Sequence, residues 1–109
     1  MTKQTRQERA ATMRQDRDDR ILSAAVELAK TEGYQWITRE QVAEAAGVGV
    51  GSVNNAYGRM VELKRAVLRQ AIRLEIVEIV AQGLGSGSPV MAEAGPDLKR
   101  RAAEFAATH

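Results

Sequence analysis

The chain contains no cysteine. That absence excludes disulfides, thiolate metal sites and cysteine nucleophiles. Its one histidine is the last residue, His109, which leaves no imidazole for general acid–base catalysis and none for a zinc centre. Aromatic residues are scarce: Tyr34, Trp36, Tyr57 and Phe105 are all there are. The two prolines, Pro89 and Pro96, both lie late in the chain, so nothing before them interrupts helix formation by proline. No signal-peptide core is visible at the polar N-terminus. The most apolar stretch, Ala71 to Ala81, is broken by Arg73, Glu75 and Glu78 and falls well short of the ~20 residues that span a bilayer. The expectation is a soluble, cytoplasmic protein with no membrane partner.

What is present is one domain's worth of chain, 109 residues with a net charge of +2. Length of this order supports a single modest core. The charge is unevenly placed. Residues 1–14 carry Lys3, Arg6, Arg9 and Arg14 against Glu8, a basic arm. A second basic excess, Arg59, Lys64, Arg65, Arg69 and Arg73 against Glu62, follows later. Such stretches suit an anionic partner, nucleic acid or membrane, although most are solvated faces.

The hydrophobic pattern is helical throughout, and the expected class is all-α. Residues 3–20 hold strong helix formers but few apolar ones, so the arm either continues the first helix or is held by a neighbour. Ile21, Leu22, Ala25, Val26, Leu28 and Ala29 recur at helical spacing, and Gly33 is placed to end that helix. Tyr34, Trp36 and Ile37 form a connector whose side chains pin it to the core. Thr38 followed by Gln41 predicts a capping box, opening a short helix to Ala46 with Val42, Ala45 and Ala46 inward. Gly47 closes it. A second short helix runs from about Val50 to Tyr57 and ends at Gly58.

The next expectation is one long helix from Met60 to Gln82, with Met60, Leu63, Val67, Leu74 and Val77 on a first stripe. Ile72, Ile76, Ile79 and Val80 add a second. A helix apolar on two sides needs two partners, which reads as a homodimer interface; the alternative is that the C-terminal segment folds back over it. Residues 83–97, with Gly83, Gly85, Gly87, Gly95 and both prolines, read as a linker. Asp97 can then cap a last amphipathic helix carrying Leu98, Ala102, Phe105 and Ala106. Three regions result: a basic arm (1–15), a region of short helices (16–68) and a helical dimerisation segment (69–109). Leu98 and Phe105 join Ile72, Ile76, Ile79 and Val80 at the expected dimer interface.

Gly47-Val48-Gly49-Val50-Gly51-Ser52 superficially suggests a phosphate loop. A dinucleotide fingerprint needs a preceding strand, and the segment before it is helical; a P-loop needs Lys where Gly51 stands. Asp16, Asp18 and Asp19 suit the start of a helix, and no pocket-forming pattern surrounds them to shift a pKa. No cofactor, no metal and no enzymatic activity are expected. The informative feature is the pair of short helices joined through Gly47. This is the helix-turn-helix plan, in which one helix braces on the DNA backbone and the next enters the major groove.

From Arg20 to Leu68 the sequence resembles the DNA-binding domain of the TetR family of bacterial transcriptional repressors. The resemblance rests on Ile21-Leu22-Ser23-Ala24-Ala25, Gly33-Tyr34, Thr38, Val42-Ala43, Ala45-Ala46-Gly47-Val48, Gly51-Ser52-Val53, Tyr57 and Glu62-Leu63. It implies a DNA role for Thr38, at a phosphate and supplemented by Arg39, and for Ser52. It implies an inward-packed Tyr57. Four positions depart from the family's pattern: Gly49 stands where Ser is usual, Asn54 where Tyr is, Ala56 where His or Tyr is, and Met60 where Lys is. Arg59 can replace that lysine. Asn54 and Asn55 then become candidate readers of adenine and Val50 of a thymine methyl; the alternative for the asparagines is a solvated face or a local cap. Arg6 and Arg9 of the arm would add phosphate or minor-groove contacts, or form a solubilising tail.

Relatives of this kind run to about twice this length, with a second helical domain that binds an effector. Only about 41 residues follow Leu68 here. The resulting expectation is a dimeric repressor that binds a palindromic double-stranded operator without a small-molecule inducer. A helical interaction module that has lost DNA binding and pairs with a full-length relative is the alternative.

Overall fold

The structure is a computed structural model. It describes residues 6–109, with side chains from Thr12 onward, and all its regular elements are helical. They are α1 (Arg6–Glu32), α2 (Arg39–Ala46), α3 (Val50–Tyr57), α4 (Met60–Leu74), α5 (Val77–Gly85), a short 3-10 helix (Pro89–Glu93) and α6 (Pro96–Thr108). Helix α1 begins well before the apolar stripe at Ile21, so the arm continues the first helix.

Capping chemistry sets the helix ends around the centre of the chain. The Thr38 hydroxyl accepts from the Gln41 backbone N–H (3.2 Å), and Gln41 Oε1 accepts from the Thr38 N–H (2.9 Å), a reciprocal box that starts α2. Gly47 ends α2 in the left-handed region (φ 70°), and the Val48 N–H returns to the Ala43 carbonyl (3.0 Å). The connection to α3 is therefore only Gly47, Val48 and Gly49 long. Val42 and Ala43 face inward, whereas Ala45 is exposed and Ala46 half-buried; the inward face of α2 is shifted from the expected one.

One core runs through every helix. Ile21, Ala25 and Ala29 of α1, Val42 of α2, Val53 of α3, Leu63 and Val67 of α4, Ile79 and Val80 of α5 and Ala102 of α6 are all buried. No polar or charged residue is buried with them among the described residues. This core holds the angle between α2 and α3 through Val53, with Val48 half-buried beside it.

The expected helix from Met60 to Gln82 is two helices. Glu75 adopts φ 54°, the Ile76 N–H reaches back to Ala71 O (2.8 Å) and the Glu75 N–H to Ile72 O (3.3 Å). This is a Schellman ending without glycine. A left-handed non-glycine residue costs roughly 1–2 kcal/mol; the Glu75 carboxylate pairs with Arg101 of α6, which ties the bend to the C-terminal helix. The bend turns α5 so that its apolar side meets α4, α6 and the 3-10 helix.

Three residues expected at an interface between copies, Ile79, Val80 and Leu98, are therefore corrected to core positions of a single chain. Ile72, Ile76 and Phe105 remain half-buried, and Leu74, expected on the inward stripe, is exposed. Residues 83–97 do not behave as a linker either. Val90, Met91 and Ala94 are buried, and Gly83 lies so close to Met91 that a Cβ there would sit 2.7 Å from the Met91 methyl carbon. Helix α6 is capped by Gly95 with Pro96 in its first turn. Asp97 lies inside the helix and binds Arg100 (2.6 Å) and Arg101 (2.9 Å) instead of capping it.

Candidate nucleic-acid interface

Helix α3 is attached to the core by one fully buried side chain, Val53, with Ala56 and Tyr57 half-buried. Its other side is open. Val50, Gly51, Asn54 and Asn55 are exposed and Ser52 is half-buried. No side chain caps its N-terminus at Gly49, so the first backbone N–H groups there face outward. A Cβ built on Gly49 or Gly51 would meet nothing within 4 Å, so the backbone at this end is bare on the outer side. A glycine-bare helix start, two outward carboxamides and a small apolar residue form a surface that another molecule can approach closely.

Around it stand the expected backbone-gripping residues. Thr38 is exposed at the start of α2. Arg39, next in line, is half-buried, and its Nε is enclosed without a hydrogen-bond partner. Arg59 precedes α4, is largely exposed and reaches Glu62 at 3.4 Å. Arg6 and Arg9 belong to α1, but their side chains lie outside the described residues. The structure thus places Thr38, Arg39 and Arg59 at helix starts and Val50, Ser52, Asn54 and Asn55 on α3 between them in the chain.

Tyr57 connects α3 to α1. Its hydroxyl donates to the Asp18 carbonyl oxygen at 3.5 Å. Partial burial, and then the negative charges of Asp18 and Asp19, push its pKa above the ordinary tyrosine value of 10.0. The folded chain therefore keeps this proton at a pH where the unfolded chain loses it. The stabilisation is complete below the unfolded pKa and disappears as pH rises through the folded one. Tyr57→Phe should accordingly lose less stability than the parent chain when urea unfolding is repeated above pH 10.0.

A second tie joins the C-terminal helices to this region. Gln82 of α5 accepts from the Tyr34 backbone N–H (2.8 Å) and donates to Ala29 O (3.0 Å), and the Tyr34 hydroxyl bonds Ser86. Tyr34 and Ile37 are pinned inward as expected. Trp36 is not: it is 74% exposed, because the turn after Gly33 directs it away from the core. Neither Gln82 nor the position of Trp36 is legible in the hydrophobic pattern.

Two short helices joined by a three-residue turn, the second braced from behind and bare in front, form a helix-turn-helix motif, the plan by which DNA-binding proteins enter the major groove. Residues 21–67 match the profile described as bacterial regulatory proteins, tetR family. That segment, a little under half of the chain, is similar to the N-terminal helix-turn-helix domain of these regulators. No curated protein and no solved structure matched it. Among the described residues no helix is long and apolar enough to cross a membrane, and no group of three or more His, Asp or Glu residues is arranged to hold a metal ion.

Proposed function

We propose that the chain acts as a dimeric repressor that reads a palindromic operator with α3 and responds to no small-molecule inducer. The observation that carries this reading is the outer face of α3, where Asn54 and Asn55 stand exposed beside the open backbone of Gly51. An asparagine carboxamide matches the N6/N7 edge of adenine in two hydrogen bonds, and Val50 suits a thymine methyl. Thr38, Ser52, Arg39 and Arg59 hold the duplex backbone, with Arg6 and Arg9 extending the grip along α1. Dimerisation through Ile72, Ile76 and Phe105, with exposed Leu74 between them in the chain, would supply the two half-sites.

Fluorescence anisotropy with labelled duplexes at several salt concentrations tests the reading. Affinity should fall steeply with salt, since each phosphate contact adds about 0.9 to the log–log slope. Arg39→Ala and removal of residues 1–14 should each weaken specific and non-specific binding alike and flatten that slope. Absence of binding at low salt would leave the interaction module in its place.

A further inference from the structure

One surface groove is untouched by the reading above. It is about 500 Å³ in volume and lies between the α1–α2 connector, the first half of α4 and the turn leading to Pro89. One wall is Trp36. The indole lies against Gly33, where an added Cβ would be 3.1 Å from Trp36 Cδ1, and the Trp36 backbone N–H is bound to Gly33 O at 3.0 Å. The ring is thus placed by a glycine turn, not by burial, and presents its surface to solvent. The facing wall is a single stripe of α4: Val61, Lys64, Arg65 and Leu68, at spacings of three and four residues.

The charge of this groove is one-sided. No acidic residue lines it. Among the described residues Lys64 makes no ion pair and Arg65 reaches only Glu62, at 3.8 Å, a carboxylate that Arg59 also claims at 3.4 Å. Two cations along this edge of α4, Arg59 and Arg65, therefore share one anion, and Lys64 adds a third positive charge. The groove's residues lie close in the chain to those of the candidate interface. Trp36 is two residues from Thr38, and Lys64 stands five residues beyond Arg59, about 7.5 Å along the helix.

We propose that Trp36, Lys64 and Arg65 form a second grip on duplex DNA. Lys64 and Arg65 hold phosphates flanking the recognised bases, and the indole packs on the adjoining sugar. The groove would add phosphate contacts to the one that Arg59 makes in place of Met60. This rests on the DNA-binding reading, and the test separates the two. It differs from a base contact because it carries affinity without sequence preference.

Trp36 is the only tryptophan in the chain, so its emission reports on this groove alone. The full chain is titrated with a random-sequence duplex of about 30 base pairs, followed both by anisotropy of labelled DNA and by Trp36 emission. Binding should change the emission in step with anisotropy. Lys64→Ala with Arg65→Ala should weaken binding about tenfold and lower the salt slope by about two. Trp36→Phe should weaken it less. Circular dichroism checks that these exposed positions leave the helices intact. Binding by anisotropy with unchanged emission and an unchanged slope in the double variant overturns the second grip while leaving DNA binding in place. No anisotropy change for the parent chain overturns both. Emission that responds to salicylate and not to duplex also overturns the grip, marking a site for small planar anions.

Discussion

Ile79→Ala should cost about 2–5 kcal/mol of stability, a large part of the roughly 5–15 kcal/mol that a domain of this size possesses. Ile79 is completely buried in the first turn of α5. The loss should extend beyond α5. Gln82, one turn further along, holds the end of α1 and the Tyr34 backbone, so loosening α5 releases the connector that positions α2. Urea unfolding checks this, with a lower midpoint expected at every protein concentration. If Ile79 instead packed between copies, the loss would vary with concentration, as stability does when association is coupled to folding. Concentration-independent destabilisation is therefore the outcome that the intrachain fold-back requires.

The second large effect concerns recognition and should leave stability nearly unchanged. Asn55→Ala removes an exposed carboxamide from α3 without opening the core. A two-point contact to adenine contributes about 1–3 kcal/mol of discrimination, so preference for the specific duplex should drop about 5- to 150-fold. Affinity for random duplex should hold, because phosphate contacts do not involve this side chain. Asn54→Ala should act in the same direction. Anisotropy competition between specific and random duplexes separates the two quantities. Full retention of preference by Asn55→Ala would remove it from base reading.

The chain's ends and turns around the DNA-binding unit were legible because each rests on a residue with a narrow conformational role. Thr38 and Gln41 form a cap that needs only their spacing, and Gly33, Gly47 and Gly58 all adopt positive φ at helix ends. The two-sided apolar stripe of residues 72–80 reads first as a homodimer interface, with fold-back of the C-terminal segment as the alternative, and the structure buries Ile79 and Val80 by fold-back. Its resolution was not legible, since the bend falls at Glu75, a residue with no local preference for the left-handed region. The contact that accompanies it, with Arg101, lies 26 residues away, and single-residue preferences carry no information about such a contact. The segment 83–97 misled for the opposite reason. Its glycines and prolines are turn formers, yet Gly83 serves close packing against Met91 and Pro96 starts a helix. Trp36 misled through its type: a large aromatic ring is usually buried, and the turn at Gly33 holds this one outside.

The central claim is that the open face of α3 reads sequence in duplex DNA. The most direct measurement is the affinity of the full chain for duplexes enriched by it from a random pool, relative to scrambled duplexes of equal length at the same salt. The account predicts an enriched inverted repeat with half-sites about one helical turn apart, bound at least about a thousandfold more tightly than its scrambled counterpart. No enriched motif, or equal affinity for enriched and scrambled duplexes, would contradict it.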